Sequence, residues 1–107
     1  MENNQLDIFD QQGIEDIIDQ NPIPGIIDTQ TLNTLKHLHL ISEIDFRNLL
    51  IKRDFKILRQ YLETQRGKKA GSAREAIEIL AEREELSYGR IRNIIYNKDK
   101  TDELLQF

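Results

Sequence analysis

The chain contains no cysteine, so neither a disulfide framework nor a thiolate metal site is open to it. Histidine is nearly as scarce. His37 and His39 are the only two among 107 residues, and side chains two apart lie on different faces of a helix. Paired zinc ligands on a helix stand three or four apart. His39 is therefore expected packed and His37 exposed, with no metal and no cofactor implied. No apolar run approaches the roughly 20 residues that cross a bilayer. The opening MENNQLDIFDQQ is acidic and polar, unlike a secretory signal. A cytoplasmic protein with no membrane partner is expected. Acid pairs such as Asp16/Asp19 and Glu78/Glu82 have no nucleophile near them in the pattern, so no enzyme and no small-molecule substrate are expected either. QRGKKAGS (65–72) fails as a nucleotide-binding loop: Lys69 stands where Ser or Thr must follow Gly-Lys, and no glycine precedes at the required place.

What is present is charge, unevenly spread. Residues 1–50 hold two bases (Lys36, Arg47) against nine acids, a net of −7, whereas residues 51–100 hold thirteen bases against eight acids, a net of +5. The two acids of the tail bring the whole to −4. Such a split suits a partner whose negative charge meets the second half. It equally describes a globule with uneven solvated faces.

The length suits one domain with a modest core. Both prolines fall in NPIPGIID (21–28), which must turn. Residues 1–25 are expected to form an acidic N-terminal arm, in which GIEDIIDQ either makes a short helix or stays a disordered interaction segment. Residues 26–107 are expected to form a single helical domain. Asp28 or Thr29 can cap a helix running to about Leu40, with Leu32, Leu35 and His39 on one face. Ser42 with Asp45 predicts a capping box opening a long helix over 43–64. Ile44, Ile51, Phe55, Leu58 and Leu62 make one stripe on it, and Phe46, Leu50, Ile57 and Tyr61 a second. A helix with two stripes is covered on more than one side. Lys52, Arg53, Lys56 and Arg59 are expected on its exposed edge. Ser72 with Glu75 predicts a second capping box, and Ser87 the cap of the last helix. No window alternates as a strand does, so the fold class is all-α, a small bundle of about four to five helices.

AREAIEILAEREELSYGRIRNIIYNK (73–98) carries a more specific pattern. Ala81, preceded by Leu80, is small where a second helix would cross the first; Leu86 can plug the turn; Ser87 can cap; Ile91, Ile94 and Ile95 point one way. This quarter of the chain resembles the helix-turn-helix unit of bacterial and phage DNA-binding proteins. Where that unit usually has glycine the chain has Glu85, so a left-handed residue there would be strained. Glu82, Glu84 and Glu85 crowd a helix C-terminus, against its dipole.

At about 100° per residue, the face opposite Ile91 carries Gly89, Asn93, Tyr96 and Lys100, flanked by Arg90, Arg92 and Asn97, and no acid. Asn suits adenine, Arg suits guanine, and Tyr suits a phosphate or a thymine methyl. Arg90, Arg92, Asn93 and Tyr96 are the candidate base readers. Arg66, Lys68, Lys69, Ser87, Gly89, Lys98 and Lys100 are the candidate phosphate contacts. What the resemblance implies is a small transcriptional regulator that binds double-stranded DNA as a homodimer, self-associating through the apolar excess of residues 26–51. The alternative is a helical protein-interaction module whose acidic first half docks a basic partner and which binds no DNA.

Overall fold

A computed structural model describes residues 13–66, 71–98 and 102, with the Arg66 side chain outside the description. These residues form five helices and, among themselves, no strand: α1 (Ile14–Gln20), α2 (Thr29–His37), α3 (Glu43–Arg66), α4 (Ser72–Glu84) and α5 (Tyr88–Tyr96).

Helix α1 forms because Ile14, Ile17 and Ile18 share one side, while Glu15 and Asp16 complement the dipole in the first turn. Ile17 and Ile18 are buried in the main core, so residues 14–20 belong to the domain rather than to a detached arm. Residues 1–12 lie outside the description. The chain reverses through the proline segment, with Gly25 at φ 87°. Asp28 then starts α2 by accepting the Thr31 N–H at 2.7 Å.

Helix α2 stops at His37, earlier than its apolar spacing suggests. His39 turns left-handed (φ 59°), its N–H bonds the Lys36 carbonyl, and the Leu40 N–H bonds the Leu35 carbonyl at 2.9 Å. This closing pattern satisfies the last carbonyls of the helix but throws the His39 side chain outward. His39 is exposed, as His37 is, so the expected packing of His39 is wrong.

Helix α3 is the spine, 24 residues or about 36 Å long, in a body 46 Å on its longest axis. Ser42 accepts the Asp45 N–H at 3.0 Å, as its cap position predicts. Helices α1, α2, α4 and α5 all pack on α3; α4 and α5 also pack on each other, while α1 and α2 each meet no other helix among the described residues. The larger core joins α1, α4 and α5 to Ile51, Phe55, Leu58 and Leu62 of α3. A smaller one joins Leu32 of α2 to Leu49, with Ile26, Ile27, Phe46 and Leu50 around it.

Two expectations about α3 fail. Ile44, placed on an inward stripe, is 72 % exposed, because α2 has turned away before reaching it. Lys52 and Arg53, placed on the exposed edge, are 4 % and 2 % exposed. Lys52 reaches the Asn97 carbonyl at 2.7 Å and pairs with Asp102. Arg53 grips Asp54, its neighbour in sequence, through Nε at 2.9 Å and Nη2 at 2.7 Å, and donates to the Thr29 hydroxyl through Nη1.

Ser72 is also not the cap of α4. That place belongs to Gly71 at φ 85°, and the Ser72 hydroxyl is buried within 3.4 Å of Glu63. No helix among the described residues is long and apolar enough to cross a membrane.

Candidate nucleic-acid interface

Three residues, Glu85, Leu86 and Ser87, connect α4 to α5. Glu85 adopts the left-handed conformation (φ 58°, ψ 42°) that glycine adopts freely. Its N–H bonds the Glu82 carbonyl and the Leu86 N–H bonds the Ala81 carbonyl at 3.0 Å. Leu86 and Ala81 both pack against the main core, the apolar contact that accompanies this kind of helix ending. The closure therefore forms without glycine, at a conformational cost of about 1–2 kcal/mol.

The glutamates at this corner do not act as one acidic patch. Glu84 is drawn inward, held by Arg83 Nε at 2.8 Å and by Arg47 Nε at 3.2 Å, and its carbonyl accepts from Arg47 Nη2. Glu82 and Glu85 remain exposed.

On the far side of the turn Ser87 caps α5, its Oγ accepting the Arg90 N–H at 3.1 Å. Ile91 is fully buried, with Ile94 and Ile95 partly buried beside it. These three fix the helix so that Ser87, Tyr88, Gly89, Arg90, Arg92, Asn93, Tyr96, Asn97 and Lys98 are all exposed. Seven candidate residues are thus exposed on α5 and at its two ends: Ser87, Gly89, Arg90, Arg92, Asn93, Tyr96 and Lys98. Lys68, Lys69 and Lys100 lie outside the described residues, as does the Arg66 side chain.

Within this surface Tyr96 has a double attachment. Its ring meets Phe55 edge-on at 6.2 Å, and the Arg92 guanidinium stands 5.7 Å from its centre. Phe55 anchors Tyr96, and Tyr96 orients Arg92 by cation–π attraction. At Gly89, an added Cβ would meet nothing within 4 Å. Packing places no demand for glycine there.

The ion pairs decide where positive charge remains available. In α3 and α4, Arg53 and Arg83 close on the buried Asp54, Arg83 also reaches Glu15, Arg59 pairs with Glu63, and Arg74 with Glu78. Burial pulls the Arg83 guanidinium down, but Asp54, and then Glu84 and Glu15, outweigh it, so its pKa stands above the ordinary arginine value. By contrast, among the described residues Arg90, Arg92 and Lys98 form no ion pair, and all three sit on α5 or at its exit. Much of the positive excess read from residues 51–100 is thus neutralised internally. Among the described residues from 51 onward, what remains for a partner is concentrated on α5.

Comparison with protein-family models, with curated proteins and with solved structures finds no match to this chain.

The structure also adds residues that the linear pattern did not single out. A shallow groove between the start of α4 and α5 is lined by Gly71, Ala73, Arg74, Ile77, Tyr88, Arg92 and Tyr96. Arg74 and Tyr88 extend the α5 surface sideways, next to Arg92. Only the packing of α4 on α5 reveals this, because Arg74 lies fourteen residues before Tyr88. The described residues contain no group of three His, Asp or Glu able to hold a metal ion.

Proposed function

We propose that this chain is a sequence-specific double-stranded DNA-binding protein in which α4 and α5 act as a helix-turn-helix, and that it is a small cytoplasmic transcriptional regulator. The observation that carries the reading is the segregation of unpaired cations within the basic second half of the chain. Arg90, Arg92 and Lys98 have no ion pair among the described residues, whereas arginines of α3 and α4 are tied to carboxylates. Such a surface attracts phosphate and holds side chains able to read base edges.

In this reading α5 enters the major groove. Arg90, Arg92, Asn93 and Tyr96 face base edges. Asn93 is suited to adenine and the arginines to guanine. Ser87, Gly89 and Lys98, with Arg66, Lys68, Lys69 and Lys100, hold the backbone, and Gly89 allows a phosphate to approach the main chain closely. One such unit reads few base pairs, so two copies on two half-sites are expected.

The test is duplex binding followed by fluorescence anisotropy between about 50 and 200 mM salt, after selection of a preferred site from a random pool. Arg92→Ala with Asn93→Ala should abolish preference for the selected site while keeping weak, salt-sensitive binding. Lys68→Ala with Lys69→Ala should weaken all duplexes alike and reduce the salt slope by about one per lysine lost. Gly89→Ala should leave the fold intact or slightly more stable, yet weaken binding. No duplex binding even at low salt would refute the proposal and leave the interaction-module alternative in its place.

A further inference from the structure

The corner between α2 and α3 exposes the apolar side chains that the two cores leave out. Leu38 is 57 % exposed, Leu40 65 % and Ile44 72 %. Soluble proteins carry single exposed leucines without consequence, but a contiguous group marks a contact surface. Here Leu40 and Ile44 stand four residues apart around a corner whose shape is fixed by the left-handed His39, while Leu38 faces a separate hollow beside Thr34 and His37. The corner is also concave, lined by Lys36, His39, Leu40, Ile41, Glu43 and Asp45. Among the described residues helix α2 leans on α3 and on no other helix.

Charge at the corner is arranged in the same unfinished way. Lys36, in the last turn of α2, lies over the Phe46 ring at 4.7 Å. Glu43 and Asp45 stand in the first turn of α3. Among the described residues none of the three forms an ion pair. The corner thus places a cation from α2 and two carboxylates from α3 around one hollow.

We infer that this corner is a self-association surface whose occupant is the same corner of a second copy, related by a two-fold axis. An isologous contact needs a patch complementary to itself. This one has exposed apolar side chains at Leu40 and Ile44, a hollow beside them that includes Ile41, and opposite charges from its two helices. Turning a second copy about the axis sets Lys36 of each chain against Glu43 and Asp45 of the other. A stable interface needs about 800 Å² from each partner; Leu40 and Ile44 form its centre, with Leu38 and the neighbouring surface of α2 at its rim. The inference locates the second copy that the DNA reading calls for, but it rests on the corner and not on α5.

Sedimentation equilibrium on the whole chain tests it, at concentrations up to roughly 100 µM. The unaltered chain should be dimeric. Ile44→Asp and Leu40→Asp should each weaken association by about tenfold or more, with helical content unchanged because both sites are exposed, and with a thermal midpoint lowered only as far as the lost association accounts for. A charge-swap pair tests the geometry without touching the apolar residues. Lys36→Glu alone, and Glu43→Lys with Asp45→Lys alone, should both be weakened, and an equimolar mixture of the two should recover association. A monomeric unaltered chain, a dimer indifferent to both aspartates, or a mixture that fails to recover overturns the inference. The chain carrying Arg92→Ala and Asn93→Ala should keep the unaltered mass. The Ile44→Asp chain should keep weak low-salt duplex binding. Failure of self-association is therefore separable from failure of DNA binding.

Discussion

Replacing Asp54 by alanine should unfold this protein more readily than any surface change, and the structure sets the size of the effect. Asp54 is 0 % exposed. Its Oδ1 accepts Nε and Nη2 of Arg53, and its Oδ2 accepts Nη1 of Arg83 at 2.7 Å. Removing the carboxylate leaves the Arg53 guanidinium buried with the Thr29 hydroxyl as its remaining hydrogen-bond partner and the exposed Asp28 carboxylate acting on it from farther off. Arg83 suffers less, since it keeps Glu15 and Glu84. One of its nitrogens, Nη2, is nevertheless already buried without a partner among the described residues. An uncompensated buried charge of this kind costs about 3–5 kcal/mol. Against a total stability of roughly 5–15 kcal/mol, that is a large fraction. For a domain of this size it lowers the thermal midpoint by about 15–30 °C. Urea denaturation followed by helical circular dichroism measures it directly. The paired change Arg53→Met with Asp54→Leu should recover most of the loss, because apolar side chains of similar volume need no counter-charge. A loss below about 1 kcal/mol for Asp54→Ala would refute the reasoning, since it would mean that the guanidinium finds water. A double variant as unstable as the single one would show that packing, rather than charge, is what Asp54 supplies.

Two further outcomes follow from local conformation. Glu85→Gly should stabilise the fold by about 0.5–1 kcal/mol, the relief of left-handed strain less the entropy that glycine loses on folding; an unchanged urea midpoint would show that Glu85 carries no strain. The Asp28 carboxyl is held below the ordinary aspartate value by the Thr31 side chain, then by the Thr31 N–H, with Arg53 adding to both. A depressed folded pKa means that its contribution is whole above the ordinary carboxylate range and fades as pH falls through the lower, folded value. Asp28→Asn should flatten that acid limb of the stability profile. A carbon-detected titration placing Asp28 at or above the ordinary value would contradict this.

The separate faces of α5 were legible in the sequence. Ile91, Ile94 and Ile95 at helical spacing, with no acid between Ser87 and Lys98, determine which side packs and which side is left for a partner. The caps at Asp28, Ser42 and Ser87 were legible for the same reason: each depends on a hydroxyl or carboxylate meeting an amide three residues on. Periodicity and these three caps are local, so the chain itself records them, whereas Ser72, predicted as a cap, is buried beside Glu63 instead.

What lay beyond the sequence was set by which helix crosses which. Lys52 and Arg53 look like a basic edge until α5 and α2 arrive to give them Asn97 and Thr29 as partners. Ile44 looks inward until α2 closes at His37 and leaves it bare. Ile17 and Ile18 could belong to a loose arm until α3 offers them a core. Residues 51–100 carry thirteen bases, but counting them does not say which are spent. That depends on pairings such as Arg83 with Glu15, sixty-eight positions apart, which no local pattern encodes. The amino-acid sequence thus determined the helices and the face of α5. The tertiary structure alone decided that the unpaired arginines on the described residues are Arg90 and Arg92, because an ion pair depends on separation in space and not along the chain.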